Sequence, residues 1–127
     1  MVKVLIIEDE PLIIKLYKQA LETAGFEVLS ALNGDEGVEL AKSQKPNLIL
    51  LDVMMPEPNG MQVLENLKAD EATKQIPVVM FTNLSGKFDV SFAKSKGALD
   101  YWVKNEIEPS KLGEKIKAML QSPVKTS

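Results

Sequence analysis

The sequence predicts a one-domain α/β protein: a doubly wound parallel sheet of five strands with five helices on its two faces. Three observations carry this. Short all-apolar runs alternate along the chain with longer stretches whose apolar residues recur at helical spacing. Most of the apolar runs stop at acids, a hydroxyl or a lysine, as strands buried on both faces do where their carboxyl ends meet solvent. The length, 127 residues with 45% hydrophobic and 26% charged positions, fits one globular domain and leaves no room for a second.

Val4 to Ile7 is the first such run, and it ends in Glu8-Asp9-Glu10. Pro11 suits the first turn of a helix, and Leu12, Ile13, Leu16, Tyr17, Ala20, Leu21 and Ala24 continue it at helical spacing until Gly25, where a C-terminal cap belongs. Phe26 to Ala31 reads as the second strand, and Asp35 to Ser43 as a helix stopped by Pro46. Leu48 to Leu51 is a second buried run, ending in Asp52. Met61, Leu64 and Leu67 mark the third helix. Ile76 to Phe81 forms a strand ending at Thr82, and Lys87 to Lys96 a helix capped by Gly97. Leu99 to Val103 is a strand ending at Lys104, and Pro109 opens a last helix on Leu112, Ile116, Met119 and Leu120. Residues 1–121 thus make the domain, and Ser122 to Ser127 a frayed tail. Tyr101 and Trp102 are adjacent on a strand and face opposite ways, and Met54, Met55 and Met61 read as gap fillers.

The composition excludes several chemistries. Without Cys or His there is no disulfide framework, thiolate nucleophile, zinc-finger site or Ser-His-Asp triad. All 15 basic residues are Lys, spread without a run, so the guanidinium fork that reads guanine is absent and direct nucleic-acid binding is not expected. The apolar start meets Glu8 too early for a signal peptide or a spanning helix, so neither membrane nor export is expected and the reading is cytoplasmic.

Ligands of doubly wound sheets bind outside the carboxyl ends of the strands, where strand order reverses. Here that rim collects Glu8, Asp9, Asp52, Thr82 and Lys104. Taken singly, Glu8-Asp9-Glu10 reads as helix-start acids favoured by the dipole, Asp52 as a loop acid, and Thr82 and Lys104 as ordinary strand-end residues. Together, three crowded carboxylates make a site for a hard cation such as Mg²⁺. One of them can then act as a nucleophile toward phosphorus, with an ammonium and a hydroxyl for the phosphoryl oxygens.

Four motifs carry a family resemblance: Ile6-Ile7-Glu8-Asp9-Glu10; Leu50-Leu51-Asp52-Val53-Met54-Met55-Pro56 with Asn59-Gly60; Phe81-Thr82; and Asp100-Tyr101-Trp102-Val103-Lys104. In this order and spacing the chain closely resembles the receiver domain of two-component response regulators over essentially its whole length. The resemblance implies the CheY-like, flavodoxin-like sheet with strand order 2-1-3-4-5. It implies Asp52 as phosphoacceptor, and Asp9, Asp52 and the Met54 backbone carbonyl as direct Mg²⁺ ligands with Glu8 acting through water. Thr82 and Lys104 match the phosphoryl-contacting pair, and Tyr101 the aromatic whose rotamer follows Thr82. The implied donor is a phosphohistidine on a sensor histidine kinase or histidine phosphotransfer protein. An effector would be engaged through the fourth helix, fifth strand and fifth helix. The implied role is signalling, not turnover of a substrate.

Two positions depart from the family pattern. Asn105 follows Lys104 where Pro is usual, and Asn83 follows Thr82 where a small residue is usual. A non-proline cis bond costs about 2.5 to 4 kcal/mol, so a trans Lys104–Asn105 bond is expected. Three rival readings use the same sheet. A flavin mononucleotide site is opposed by the acids after the first strand, which would repel its phosphate. An Asp-nucleophile phosphohydrolase needs an acid two residues after the nucleophile, where Met54 stands. A non-phosphorylated pseudo-receiver scaffold is opposed by the intact set of site residues.

Overall fold

A computed structural model describes residues 1–121; the tail from Ser122 lies outside the described residues. The elements are β1 (Lys3–Ile7), α1 (Pro11–Thr23), β2 (Glu27–Ala31), α2 (Gly34–Gln44), β3 (Leu48–Leu51), α3 (Gly60–Ala69), β4 (Val78–Thr82), α4 (Lys87–Ser95), β5 (Asp100–Val103) and α5 (Pro109–Gln121). A one-turn 3₁₀ helix, Lys104–Glu106, follows β5 and precedes the last helix. β4 starts at Val78, not Ile76, because Pro77 has no N–H to donate and contributes only its carbonyl, to Ile49 at 3.0 Å. Gly25 and Gly97, at φ +98° and +109°, end α1 and α4 in the conformation that favours glycine.

All five strands are parallel, in the order β2-β1-β3-β4-β5. The chain leaves β2 on one side of β1 and reaches β3 on the other, so strand order reverses between β1 and β3. Alternation along the strands builds two cores. Leu5, Ile7, Ile49, Leu51, Met80 and Tyr101 face Ala41 of α2, Val63, Leu64 and Leu67 of α3, and Ala93 of α4. Val4, Ile6, Leu48, Leu50, Phe81 and Trp102 face Ile14, Tyr17 and Leu21 of α1 and Leu112 and Ile116 of α5. Tyr101 and Trp102 therefore split between the faces, as a period of two requires. Of the three methionines read as gap fillers, Met55 and Met61 pack into the first core, whereas Met54 is 58% exposed. Residue 54 lies beyond the end of β3, where no layer covers it.

Candidate functional site

The ladders that build the sheet also carry the acids to its rim. The Glu8 amide donates to the Ala31 carbonyl and the Asp52 amide to the Ile7 carbonyl, each at 3.1 Å, so backbone pairing runs one residue past β1 and β3. Both acids are thus held by sheet rather than by loop, and both are buried, with 2% and 6% of their surface exposed. Glu8 accepts the Glu10 amide at 3.2 Å, and Asp52 Oδ1 accepts the Met54 amide at 3.0 Å. Behind them the start of α3 presses on the chain: a Cβ on Gly60 would lie 2.1 Å from the Asp52 carbonyl oxygen, so only glycine fits.

Lys104 leaves the end of β5 and turns inward, 8% exposed, with its ammonium donating to Glu8 Oε1 and, at 3.1 Å, to Asp52 Oδ2. A buried charge is costly unless paired, and here the pairing spans 96 and 52 residues of sequence. Burial pushes the Glu8 carboxyl up to about 7, with the charge of Asp52 adding to it and the Lys104 ammonium opposing it. For Lys104, burial works against the charge, but the Glu8 hydrogen bond and the Asp52 field outweigh it and hold the ammonium above its ordinary range. Two carboxylates against one ammonium leave an excess of negative charge.

Carboxylate oxygens of Glu8, Asp9 and Asp52 lie within 4.8 Å of one another. They face a cleft of 280 Å³ lined by Glu8, Asp9, Glu10, Ile13, Asp52, Met54, Asn83 and Lys104. An all-oxygen donor set beside open volume suits a hard divalent cation that keeps part of its water shell.

Of the residues singled out in sequence, Glu8, Asp9, Asp52, Met54 and Lys104 meet at this cleft. Thr82 ends fully buried, its hydroxyl accepting the Leu84 amide at 3.3 Å, and it is not among the residues lining the cleft. Its neighbour Asn83 is. The strand period did not announce this, because both faces of the sheet are covered and Asn83 follows the last residue of β4, where the turn sets its direction. Tyr101 is also turned in, its hydroxyl donating to the Leu84 carbonyl, so Leu84 joins Thr82 and Tyr101 through its two backbone groups. Burial, then Asp89 and Asp52, raise that phenol to about 12, which keeps it a donor. The Lys104–Asn105 bond is trans, as expected; among the described residues the cis bond is Glu57–Pro58.

Fold and site together define a class: an open α/β protein with an acidic, lysine-bearing cleft at its topological switch point. Residues 4–117 match the response regulator receiver domain. The chain is 38% identical over 104 residues to protein PilH of Pseudomonas aeruginosa, covering 82% of this chain and 86% of that one. It is 33% identical over 117 residues to the polar-differentiation response regulator DivK of Brucella anthropi, covering 92% and 94%. Against the alkaline phosphatase synthesis transcriptional regulatory protein PhoP of Bacillus subtilis it is 34% identical over 94% of its length but spans 48% of that protein. Among solved structures, the chemotaxis protein CheY4 of Vibrio cholerae superposes with a TM-score of 0.85 at 27% identity, covering 92% of this chain and 97% of that one. A CheY-like receiver domain from Methanospirillum hungatei does so at 0.84 and 32%, covering 94% of each. The chain belongs to the response regulator receiver family, the signalling domains of two-component systems.

Proposed function

We propose that residues 1–121 form a phosphorylatable receiver that accepts one phosphoryl group on Asp52 and changes its surface in response. The observation that carries this reading is the setting of Asp52: a carboxylate at the switch point, bonded to a buried ammonium and facing Asp9 and Glu8 across an open cleft. Asp9, Asp52 and the Met54 carbonyl would hold Mg²⁺, with Glu8 assisting through water. When bound, the cation offsets the charge that otherwise repels an incoming phosphoryl group. An Asp52 oxygen bonds to phosphorus as the P–N bond of a phosphohistidine breaks, and the released imidazole takes a proton from solvent. Lys104 turns from its carboxylate partners toward the new phosphoryl oxygens, and the Thr82 hydroxyl exchanges the Leu84 amide for the same group.

The donor is a sensor histidine kinase or histidine phosphotransfer protein, since this chain has no His. The effector is engaged through α4, β5 and α5. Because Leu84 bonds both Thr82 and Tyr101, movement of the Thr82 hydroxyl alters the segment that holds the Tyr101 ring beneath α4. The setting is the cytoplasm. Incubation with acetyl phosphate and Mg²⁺, read by intact mass, tests the assignment. One phosphoryl group is expected on the parent and none on Asp52→Asn or after chelation. Uptake that persists in Asp52→Asn overturns the choice of residue, and a parent that takes up nothing from acetyl phosphate or a phosphohistidine donor is a scaffold instead.

A further inference from the structure

The two positions that depart from the family pattern touch each other. Asn83 Oδ1 accepts the backbone amide of Asn105 at 2.8 Å, tying the turn after β4 to the turn after β5 beside the cleft that Asn83 lines. A proline at 105 has no N–H and could not make this bond. Asn83 lines the cleft with Asp52 and Lys104, whereas Thr82 beside it points into the core. Since the amide oxygen is committed to Asn105, the Asn83 group left to face the cleft is its NH₂, which can only donate. Phosphoryl oxygens on Asp52 only accept.

We infer that Asn83 and Asn105 form one positioning unit, in which the Asn105 amide fixes the Asn83 side chain as a wall over the phosphorylated Asp52 and so lengthens the life of the phosphoryl group. This rests on the proposed phosphorylation of Asp52. Hydrolysis requires a water oxygen to bond to phosphorus as the P–O bond to Asp52 breaks, returning the carboxylate and releasing inorganic phosphate and a proton. A fixed amide beside the phosphoryl group narrows the approach for that water and occupies an oxygen lone pair. A strap between the two turns also holds the backbone after Thr82 and after Lys104 at one separation. Asn105 need not touch the phosphoryl group, because it acts through Asn83.

The test is a double-mutant cycle on the rate of phosphoryl loss, measured by intact mass after removal of excess acetyl phosphate with Mg²⁺ retained. Asn83→Ala should lose the group about three to ten times faster than the parent, the range that one hydrogen bond supports. Asn105→Pro should exceed Asn105→Ala, which keeps the backbone N–H, by a similar factor. The combined Asn83→Ala/Asn105→Pro variant should be no faster than either alone. Multiplying effects, or a proline variant that matches its alanine control while Asn83→Ala is fast, would refute the unit. A parent that takes up no phosphoryl group would overturn the reading of Asp52 instead, and unchanged thermal unfolding of the variants separates either result from loss of the fold.

Discussion

At Glu8 the chain keeps an acid where the solvent contributes almost nothing to its charge. Lys104 answers part of the cost, but Asp52 shares the same ammonium, so a proton is the next available counter-charge when no cation is bound. The carboxyl of Glu8 is raised from 4.5 to about 7. A raised acid means the folded state holds a proton that the unfolded chain has released, so stability is present below the lower value and falls as pH rises through the upper. Thermal unfolding in the presence of a chelator should therefore show a melting temperature that declines between about pH 4.5 and about pH 7. Glu8→Gln, neutral throughout, should flatten that decline. A variant as pH-sensitive as the parent would assign the effect to other groups.

Among the elements, α3 does the most to place the site without contributing a side chain to it. Its start is held by a reciprocal cap: Asn59 accepts the Gln62 amide at 3.0 Å, and Gln62 accepts the Asn59 amide at 2.7 Å. The cap sets Gly60 against the segment that carries Asp52, and the Gly60 amide donates to the Val53 carbonyl at 3.0 Å. A Cβ there would meet backbone alone, the Asp52 carbonyl at 2.1 Å and Val53 Cα at 2.5 Å, and this backbone is held by the Asp52 amide's bond to Ile7 and by the Gly60 amide's bond to Val53. Gly60→Ala is expected to cost about 3 kcal/mol or more in urea unfolding and to slow phosphoryl uptake by displacing Asp52. Gly86→Ala is the comparison. Its Cβ would meet only the end of the Asp89 side chain, nearest at 2.8 Å, which can swing aside, so the loss should be smaller and uptake kept. Equal losses would show that α3 is not the constraint.

For the whole molecule, the sheet is a plate with an apolar core on each face and its buried charged groups gathered at one rim. That rim works against the fold. Three carboxylates within 4.8 Å repel when no cation is present, and Asp9, the most exposed of them, lacks the lysine contact that serves the other two. Asp9→Ala should raise the melting temperature of the metal-free protein and lose the further rise expected of the parent when Mg²⁺ is added. That rise corresponds to about 1.4 kcal/mol when the cation stands at ten times its dissociation constant. A metal-free Asp9→Ala protein that melts well below the parent would give Asp9 a structural role instead. No helix among the described residues is long and apolar enough to cross a membrane.

Strand and helix identity needed only local information. Leu48 to Leu51, Pro11 and Gly25 declare an element or its end through side-chain period, a fixed φ or a tolerated one, and each effect acts within a few residues. The meeting of Glu8, Asp52 and Lys104 was also readable, because parallel strands deliver their carboxyl ends to one rim whatever lies between them. Details set by contact across the sheet were not. Pro77 delayed β4 through a missing donor, Thr82 and Tyr101 turned inward to share Leu84, Met54 was left in solvent, and Asn83 found the amide of Asn105 over 22 residues. The sequence by itself determined which residues form strands and helices and which charges reach the rim, since periodicity and chain direction are local properties. Only the tertiary structure decided which of the rim groups face the cleft and which bond one another, because that depends on strand register, turn geometry and the space left by neighbours distant in the chain.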